Sequence, residues 1–175
     1  MTSNNAAGQV RPMTQDDLDL VLSWRNHAEV RRYMYTQHEI SLAEHTSWFK
    51  ELSQDSSRHL LIFESEAVPL GFINIHQRVP GGIANWGFYT DPDAPKGTGR
   101  TLGIAALDYA FNSSGLHKIC GEALSYNRRS IEFHLRMGFK QEGIHREQHF
   151  DGQNYHDIVS FGLLASEWRE RIQEI

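Results

Sequence analysis

The sequence predicts an α/β protein of the α+β kind, in which a mixed, mostly antiparallel central sheet is flanked by helices. Three observations predict this class. Residues 59–90 contain three strand-like runs joined by short turns, which is typical of an antiparallel meander. Thr14 and Ser41 each open a segment with helix-capping chemistry. A strand over residues 86–90 then leads through a glycine-rich loop into a helix, so helices interrupt the strands.

Each element follows from hydrophobic spacing and from capping or turn residues. Leu18, Val21 and Leu22 recur at helical spacing, and Gly138 is a suitable residue to close a helix. The predicted strands are residues 10–13, 59–64, 70–76, 83–90, 117–124, 139–142 and 155–163. The predicted helices follow Thr14, Ser41 and the glycine loop, and cover residues 127–137 and 166–175. We expect disorder over residues 1–9 and a single domain over residues 10–175.

Composition excludes several classes of protein. The chain has 175 residues and a formal net charge of −5, which disfavours a nucleic-acid partner. The single cysteine, Cys120, cannot form an internal disulfide and reads as a buried, inert thiol. No apolar stretch approaches the length of a membrane span, and the first residues do not resemble a secretory signal. We therefore expect a cytoplasmic protein without a membrane partner.

The glycine-rich loop is the first candidate for a binding site. Gly97, Thr98 and Gly99 stand between a strand and a helix, where free backbone N–H groups and the helix dipole favour an anion. Lys96 and Arg100 flank the loop and add positive charge. The pattern alone does not distinguish a phosphate-binding loop from a glycine turn that only connects the strand to the helix. It is not a Walker A loop, because no Lys-Ser/Thr follows the second glycine.

A metal site is not expected. There are ten histidines, but His145 and His149, which are four residues apart, lie in a hairpin rather than on a helix. No cysteine pair, His-Glu-x-x-His motif or carboxylate cluster is present in the sequence. Tyr33, Met34 and Tyr35 form an aromatic run that is a candidate pocket wall.

The order of motifs resembles the GNAT acetyltransferase superfamily. The loop of residues 94–99 matches the family's Q/R-x-x-G-x-G/A pattern at both glycines, although Ala94 replaces its first residue. Asn127, Ser130, Gly138 and Phe139 match the family's N-x-x-S/A and G-F positions. The resemblance implies that strands 4 and 5 splay apart to hold acetyl-CoA, with its pyrophosphate on the glycine loop.

The N-terminal half narrows the resemblance. Residues 22–26, 30–31, 38, 40–41, 44–45 and 48–49 are similar to acetyltransferases of flagellin modification in the pseudaminic-acid pathway. Those enzymes acetylate the 4-amino group of UDP-4-amino-4,6-dideoxy-N-acetyl-β-L-altrosamine. The resemblance thus implies a UDP-amino-sugar substrate, and relatives of this kind also imply a homodimer. The C-terminal segment is shared with the wider RimJ/RimL-like group.

The resemblance also implies roles for individual residues. The amine attacks the acetyl thioester directly, and backbone N–H groups in the segment Phe88, Tyr89 and Thr90 hold the oxyanion. Glu122 is the candidate base, with an ordinary exposed carboxylate as the alternative. His134 occupies the usual catalytic tyrosine position and is the candidate acid, with a pocket-wall histidine as the alternative.

The remaining roles concern both ends of the cleft. Tyr155 is a weaker candidate acid. Asn127 and Ser130 contact the pantetheine arm or cap their own helix. The candidate acceptor-binding residues are Arg25, Asn26, His45, Trp48 and His76. Of these, Arg25 and His45 are favoured for the uracil or diphosphate end, which requires a positive or hydrogen-bonding rim.

Two other functions compete with the sugar acetyltransferase. A RimJ/RimL-like protein N-terminal acetyltransferase would have an open groove and would turn over peptides. A non-catalytic acyl-CoA-binding module would bind acetyl-CoA without acetylating any amine, and His134 in place of a tyrosine keeps this alternative open.

Overall fold

A computed structural model describes residues 8–173. The seven strands are β1 (Gln9–Pro12), β2 (Arg58–Ser65), β3 (Val68–Val79), β4 (Ile83–Thr90), β5 (Lys118–Leu124), β6 (Lys140–Phe150) and β7 (Tyr155–Leu164). The six α-helices are α1 (Leu18–Asn26), α2 (Ala28–Arg31), α3 (Leu42–Leu52), α4 (Thr98–Asp108), α5 (Arg128–Arg136) and α6 (Ala165–Ile172). A 3₁₀ turn precedes α1, and a π-helical turn over Tyr109–Ser113 continues α4.

The strands form one mixed sheet in the order β1-β2-β3-β4-β5-β7-β6. Every neighbouring pair is antiparallel except β4 and β5, which are parallel. The predicted α/β fold with a mostly antiparallel sheet is therefore confirmed. The parallel pair falls where α4 connects β4 to β5, because a parallel neighbour requires a crossover connection.

Both faces of the sheet are covered, so the side chains of β2 alternate between two cores. Leu61 and Phe63 join the larger core, to which α4 and α6 contribute buried residues. Leu60 and Ile62 join a smaller core with α1, against which residues of α3 pack. This alternation follows from the two-residue period of a strand. The helices thus divide between the two faces of the sheet, with α1, α2 and α3 on one side and α4 and α5 on the other.

Two predicted boundaries differ from the structure. Strand β1 begins at Gln9, within the segment predicted to be disordered, while residues 1–7 lie outside the described part of the chain. Strand β6 reaches Phe150, although the pattern predicted a strand only over residues 139–142. Its pairing with β7 shifts register between His145 and His149, and this irregularity hides the alternation that marks a strand. The predicted C-terminal helix ends at Ile172, and residues 174–175 are not described.

Candidate active site

The site is a cleft that opens where β4 and β5 part. The two strands pair only from Ile83 with Lys118 to Asn85 with Cys120, and beyond this point they diverge. Over the rest of β4, the backbone edge that faces β5 therefore has no strand partner. The cleft has a volume of about 730 Å³. Its walls come from α2 and the segment that follows it, from β4 and β5, from the glycine loop and from α5.

The glycine loop forms one end of the cleft. The carbonyl of Pro95 accepts hydrogen bonds from the backbone N–H of Thr98 at 3.1 Å and from its hydroxyl at 2.7 Å, which fixes the entry into α4. Gly97 has a φ of 97°, a left-handed conformation that favours glycine. Gly99 has no such backbone requirement, and no atom lies within 4 Å of the position that a Cβ would take. Neither packing nor backbone strain explains Gly99, so its missing side chain is consistent with the close approach of a ligand.

The predicted cations divide between the cleft and the surface. Lys96 lines the cleft, whereas Arg100 is exposed on α4 and is not among the lining residues. Arg129 at the start of α5 also lines the cleft and was not predicted as a site residue. Lys96 of the glycine loop and Arg129 of α5 are therefore basic side chains that line the cleft.

The three predicted residues of β4 all line the cleft. Phe88 packs its ring against Phe133 of α5 at 4.8 Å between centroids. Tyr89 points to the opposite face, where its ring lies 5.2 Å from that of Phe72, and burial raises the pKa of its hydroxyl. Thr90 ends the strand beside the glycine loop. Because this edge of β4 lacks a strand partner, its backbone N–H groups are available to a bound molecule.

Asn127 caps its own helix, which is one of the two roles predicted for Asn127 and Ser130. The side-chain oxygen of Asn127 accepts a hydrogen bond from the backbone N–H of Ser130 at 3.2 Å and so caps α5. Both residues also line the cleft. The cap fixes the start of α5 relative to β5.

His134 lies in an aromatic cage with both ring nitrogens engaged. Nδ1 is 2.8 Å from the carbonyl oxygen of Ser130, and Nε2 accepts a hydrogen bond from the indole N–H of Trp86 at 3.1 Å. The ring stacks on Phe161 at 4.8 Å and is only 2% exposed. Burial lowers the pKa of His134, which favours the neutral ring with its proton on Nδ1. Its only N–H is thus committed to Ser130, and this geometry gives no support to the predicted acid role.

Glu122 lies on β5 at the cleft, on the face opposite to the cage of His134. Its Oε2 accepts a hydrogen bond of 2.7 Å from the hydroxyl of Tyr35, which belongs to the irregular segment between α2 and α3. The carboxylate is exposed and therefore accessible to an incoming molecule. Cys120, two residues earlier, also lines the cleft rather than the core, and burial raises the pKa of its thiol.

The five predicted acceptor residues do not line the cleft. Asn26 has both amide atoms bonded to the backbone of Ile40, at 2.8 Å each, so it holds the loop before α3. His76 lies on β3, where burial and the nearby Arg58 lower its pKa. Both amide atoms of Asn26 are thus occupied within the protein.

Arg25, His45 and Trp48 form a polar group between α1 and α3. Arg25 donates to the carbonyl of Thr36 at 3.1 Å, but its buried Nη1 has no partner within the described residues. His45 is 4% exposed, its Nε2 also lacks a partner, and its ring stacks on Trp48 at 5.0 Å. Arg25 is close enough to Tyr89 to influence the pKa of that cleft residue. The guanidinium of Arg25 thus lies just behind the wall of the cleft.

The acceptor side of the cleft contains residues that the sequence analysis did not single out. The predicted aromatic run of Tyr33, Met34 and Tyr35 does line it. Arg78, Asn85 and Gly87 were missed, because strand alternation alone does not tell which face of β3 and β4 borders a cleft. Tyr155 is exposed at the β6–β7 turn, where its ring packs in a tilted arrangement 4.8 Å from that of Phe150, and it does not line the cleft.

Comparison with known proteins agrees with this architecture. The family model for the acetyltransferase (GNAT) domain matches residues 9–140, which is most of the chain. The chain belongs to the GNAT acetyltransferase family. It is therefore an enzyme, an N-acetyltransferase that uses acetyl-CoA. The cleft between β4 and β5 and the glycine loop are the features that fit this donor, and Gly99 leaves the space that a bound phosphate group would occupy.

Several of the relatives found are named spermidine acetyltransferases. Spermidine N(1)-acetyltransferase of Vibrio cholerae is 23% identical over 95% of this chain and 98% of its own length. The enzyme of the same name from Escherichia coli K12 is 22% identical over 91% of this chain and 87% of its own length. A crystal structure of the Vibrio cholerae enzyme in complex with CoA and spermine superposes with a TM-score of 0.87, at 23% identity, over 94% and 99% of the two chains. At this identity, the structural similarity establishes the fold and leaves the acceptor of this GNAT enzyme open.

Two further properties concern metals and membranes. Within residues 8–173, no group of three or more His, Cys, Asp or Glu side chains is arranged to hold a metal ion. None of the described helices combines the length and the apolar character needed to cross a bilayer.

Proposed function

We propose that this N-acetyltransferase acetylates the amino group of a nucleotide-activated amino sugar, specifically the 4-amino group of UDP-4-amino-4,6-dideoxy-N-acetyl-β-L-altrosamine in pseudaminic acid biosynthesis. The observation that carries the proposal is the half-buried guanidinium of Arg25, whose buried Nη1 has no hydrogen-bond partner within the described chain. The sequence resemblance to flagellin-modification enzymes supplies the identity of the sugar.

The charge of Arg25 favours an anionic acceptor. Burial lowers the pKa of its guanidinium, yet arginine keeps its charge in proteins, so a half-buried charge remains that pairs with no carboxylate among residues 8–173. An unpaired buried charge is costly unless a ligand compensates it. A diphosphate would compensate it with charge-assisted hydrogen bonds, whereas a polyamine would add positive charge to the same region.

His45 and Trp48 suit the nucleotide end of such an acceptor. Nε2 of His45 is buried without a hydrogen-bond partner, and buried polar atoms of this kind are usually satisfied. A uracil ring or a phosphate oxygen would supply the missing partner. For these residues to reach the ligand, the wall formed by Tyr89 and the segment after α2 has to leave a passage from the cleft.

The chemistry then follows from the residues of β4 and β5. Acetyl-CoA supplies an activated acetyl group: the amine nitrogen bonds to the acetyl carbon as the carbon–sulfur bond breaks, and the sulfur leaves with the bonding electrons. The unpaired backbone edge of β4 over residues 86–90 offers N–H donors for developing negative charge. Glu122 accepts the proton that the amine loses, and its exposed position on the acceptor side suits this role.

The direct test is an acetylation assay followed by mass spectrometry. The protein is incubated with acetyl-CoA and, in parallel, with the UDP-4-amino-sugar, spermidine and a peptide with a free N-terminus. We expect the mass of one acetyl group to be added to the sugar with the highest kcat/KM. Acetylation of spermidine or of the peptide with unmodified sugar would contradict the proposal.

Polyamine acetylation is the second candidate, because several of the relatives found are named for spermidine. Glu29, Asp91 and Glu122 line the cleft and could attract a cationic acceptor. A RimJ/RimL-like activity would appear in the peptide arm of the same assay. Acetyl-CoA binding without turnover of any of the three amines would favour the non-catalytic module.

A further inference from the structure

Tyr35 and Glu122 are 87 residues apart in the sequence and meet across the cleft. The hydroxyl of Tyr35 donates to Oε2 of Glu122 at 2.7 Å, joining the segment after α2 to β5. Both residues line the acceptor side. The hydrogen bond therefore connects the wall that an acceptor would touch with the carboxylate that would take its proton.

The carboxylate of Glu122 has little else to hold it. The Tyr35 hydroxyl is its only hydrogen-bond or ion-pair partner among residues 8–173. The side chain stands exposed on a strand that has separated from β4, and a glutamate in such a place has several rotamers. A base acts efficiently only within hydrogen-bond reach of the proton it abstracts, so free rotation of Glu122 would lower its effectiveness.

Tyr35, in contrast, is held by contacts that do not involve Glu122. Its ring lies 5.5 Å from that of His149, which is buried against β7. The segment is tethered again by the hydroxyl of Tyr126, which donates to the carbonyl of Arg32 at 3.3 Å. The ring of Tyr126 also stacks on Tyr33, with 6.1 Å between centroids. The hydroxyl of Tyr35, which donates the hydrogen bond to Glu122, is thus anchored by contacts that do not depend on a bound amine.

We infer that Tyr35 is a positioning residue, which orients the Glu122 carboxylate toward the acceptor amine by occupying Oε2 and leaving Oε1 free. The inference rests on the proposed role of Glu122 as the base. Burial and the hydrogen bond to Glu122 raise the pKa of Tyr35, so its hydroxyl remains protonated and remains a donor at neutral pH.

The test is a double-mutant cycle with Tyr35→Phe and Glu122→Gln. Tyr35→Phe keeps the ring on His149 and removes only the hydroxyl. We expect kcat to fall on the order of tenfold, which corresponds to about 1.4 kcal/mol, with KM for acetyl-CoA unchanged. In the Glu122→Gln background the same substitution should have no further effect, because the group that Tyr35 positions is gone.

Tyr126→Phe is the matched control, since it removes a hydroxyl that tethers the same segment without touching Glu122. It should keep kcat within about twofold of the unmodified protein, well below the effect of a lost catalytic interaction. An equal loss in Tyr126→Phe and Tyr35→Phe would overturn the inference and indicate that loosening of the segment is responsible. Multiplicative effects of Tyr35→Phe and Glu122→Gln would also overturn it.

The outcome of the double-mutant cycle does not depend on which amine is the acceptor. The acetylation assay identifies the amine before any variant is made, and the cycle is then measured with that amine. Full activity of Glu122→Gln would overturn the base role and this inference together. A strong defect in Glu122→Gln with unchanged kcat in Tyr35→Phe would leave the base role standing and overturn only the positioning role.

Discussion

The indole N–H of Trp86 donates a hydrogen bond to Nε2 of His134 at 3.1 Å, which ties β4 to α5 beneath the cleft. Gly121 makes the contact possible, since a Cβ at that position would lie 2.5 Å from Nε2 of His134. The pair belongs to an aromatic cage with Phe139 and Phe161. His134, for which the sequence resemblance implied an acid role, is thus bonded like a core residue.

A His134→Phe variant should therefore lose stability rather than chemistry. Phenylalanine fills the cage but leaves the indole N–H of Trp86 without a partner, which costs about 1–3 kcal/mol. In a domain of this size each kcal/mol lowers Tm by roughly 2–4 °C. Thermal unfolding and kcat measured on the same preparation test this. A large loss of kcat at unchanged Tm would restore the predicted acid role.

The same histidine should make stability depend on pH. The pKa of His134 is lowered in the folded state by burial. Below the ordinary histidine pKa of about 6.5, the unfolded chain therefore binds more protons than the folded chain does. Stability contributed by the neutral ring is complete above that pH and is lost as the pH falls. The slope is at most about 1.4 kcal/mol per pH unit for one group. Unfolding in urea at pH 7.5 and pH 5.5 should show a smaller difference for His134→Phe than for the unmodified protein.

Local chemistry predicted the elements better than it predicted their long-range contacts. The bounds of β4, residues 83–90, follow from alternation and from the turn before it, and the structure reproduces them. The hydrogen bond between Tyr35 and Glu122 joins residues that are far apart in the sequence, and no local pattern encodes it. The burial of His134 could not be predicted from the sequence either. Its hydrogen bond from the indole of Trp86 depends on how α5 packs against the sheet.

Gly99→Ala should separate donor binding from folding. A Cβ at Gly99 meets no protein atom within 4 Å, and alanine is favoured over glycine in a helix by roughly 0.5–1 kcal/mol. We expect Tm to be unchanged or raised, while acetyl-CoA binds more weakly by calorimetry. Gly143→Ala, in β6 and outside the cleft, is the control. Unchanged acetyl-CoA affinity in Gly99→Ala would show that the donor does not approach the loop at this residue.

Arg25→Met should have opposite effects on stability and on acceptor binding. Replacing a half-buried guanidinium whose Nη1 has no partner by an apolar side chain should be close to neutral or stabilising for the fold, since only the hydrogen bond to Thr36 is lost. Losing the partner of a buried anion typically costs 2–5 kcal/mol, so KM for a UDP-sugar should rise on the order of 100-fold. Arg31→Met, which removes a surface pair with Glu39, should change neither quantity. If the acceptor is spermidine, KM for spermidine should fall or stay constant in Arg25→Met.

Gly87→Val should weaken binding of the acceptor amine and leave binding of acetyl-CoA unchanged. The side chains of Trp86 and Phe88 pack against each other and against α5, so the missing side chain of Gly87 faces the opposite, acceptor side of β4. No atom lies within 4 Å of its would-be Cβ, and its backbone does not require glycine. Valine suits a strand better than glycine by up to about 1 kcal/mol. The glycine therefore costs stability and leaves open space next to Asn85 and Tyr89.

A graded series at Gly87 tests this interpretation. KM for the acceptor should rise modestly in Gly87→Ala and by more than about tenfold in Gly87→Val, since the larger side chain fills more of the passage. Affinity for acetyl-CoA and Tm should not decrease in either variant, because the substitution adds no contact with the donor side or the core. Gly143→Ala again controls for removal of a strand glycine outside the cleft. An unchanged acceptor KM in Gly87→Val would mean that the amine reaches the thioester by another path, most directly along the wall formed by Tyr33 and Met34.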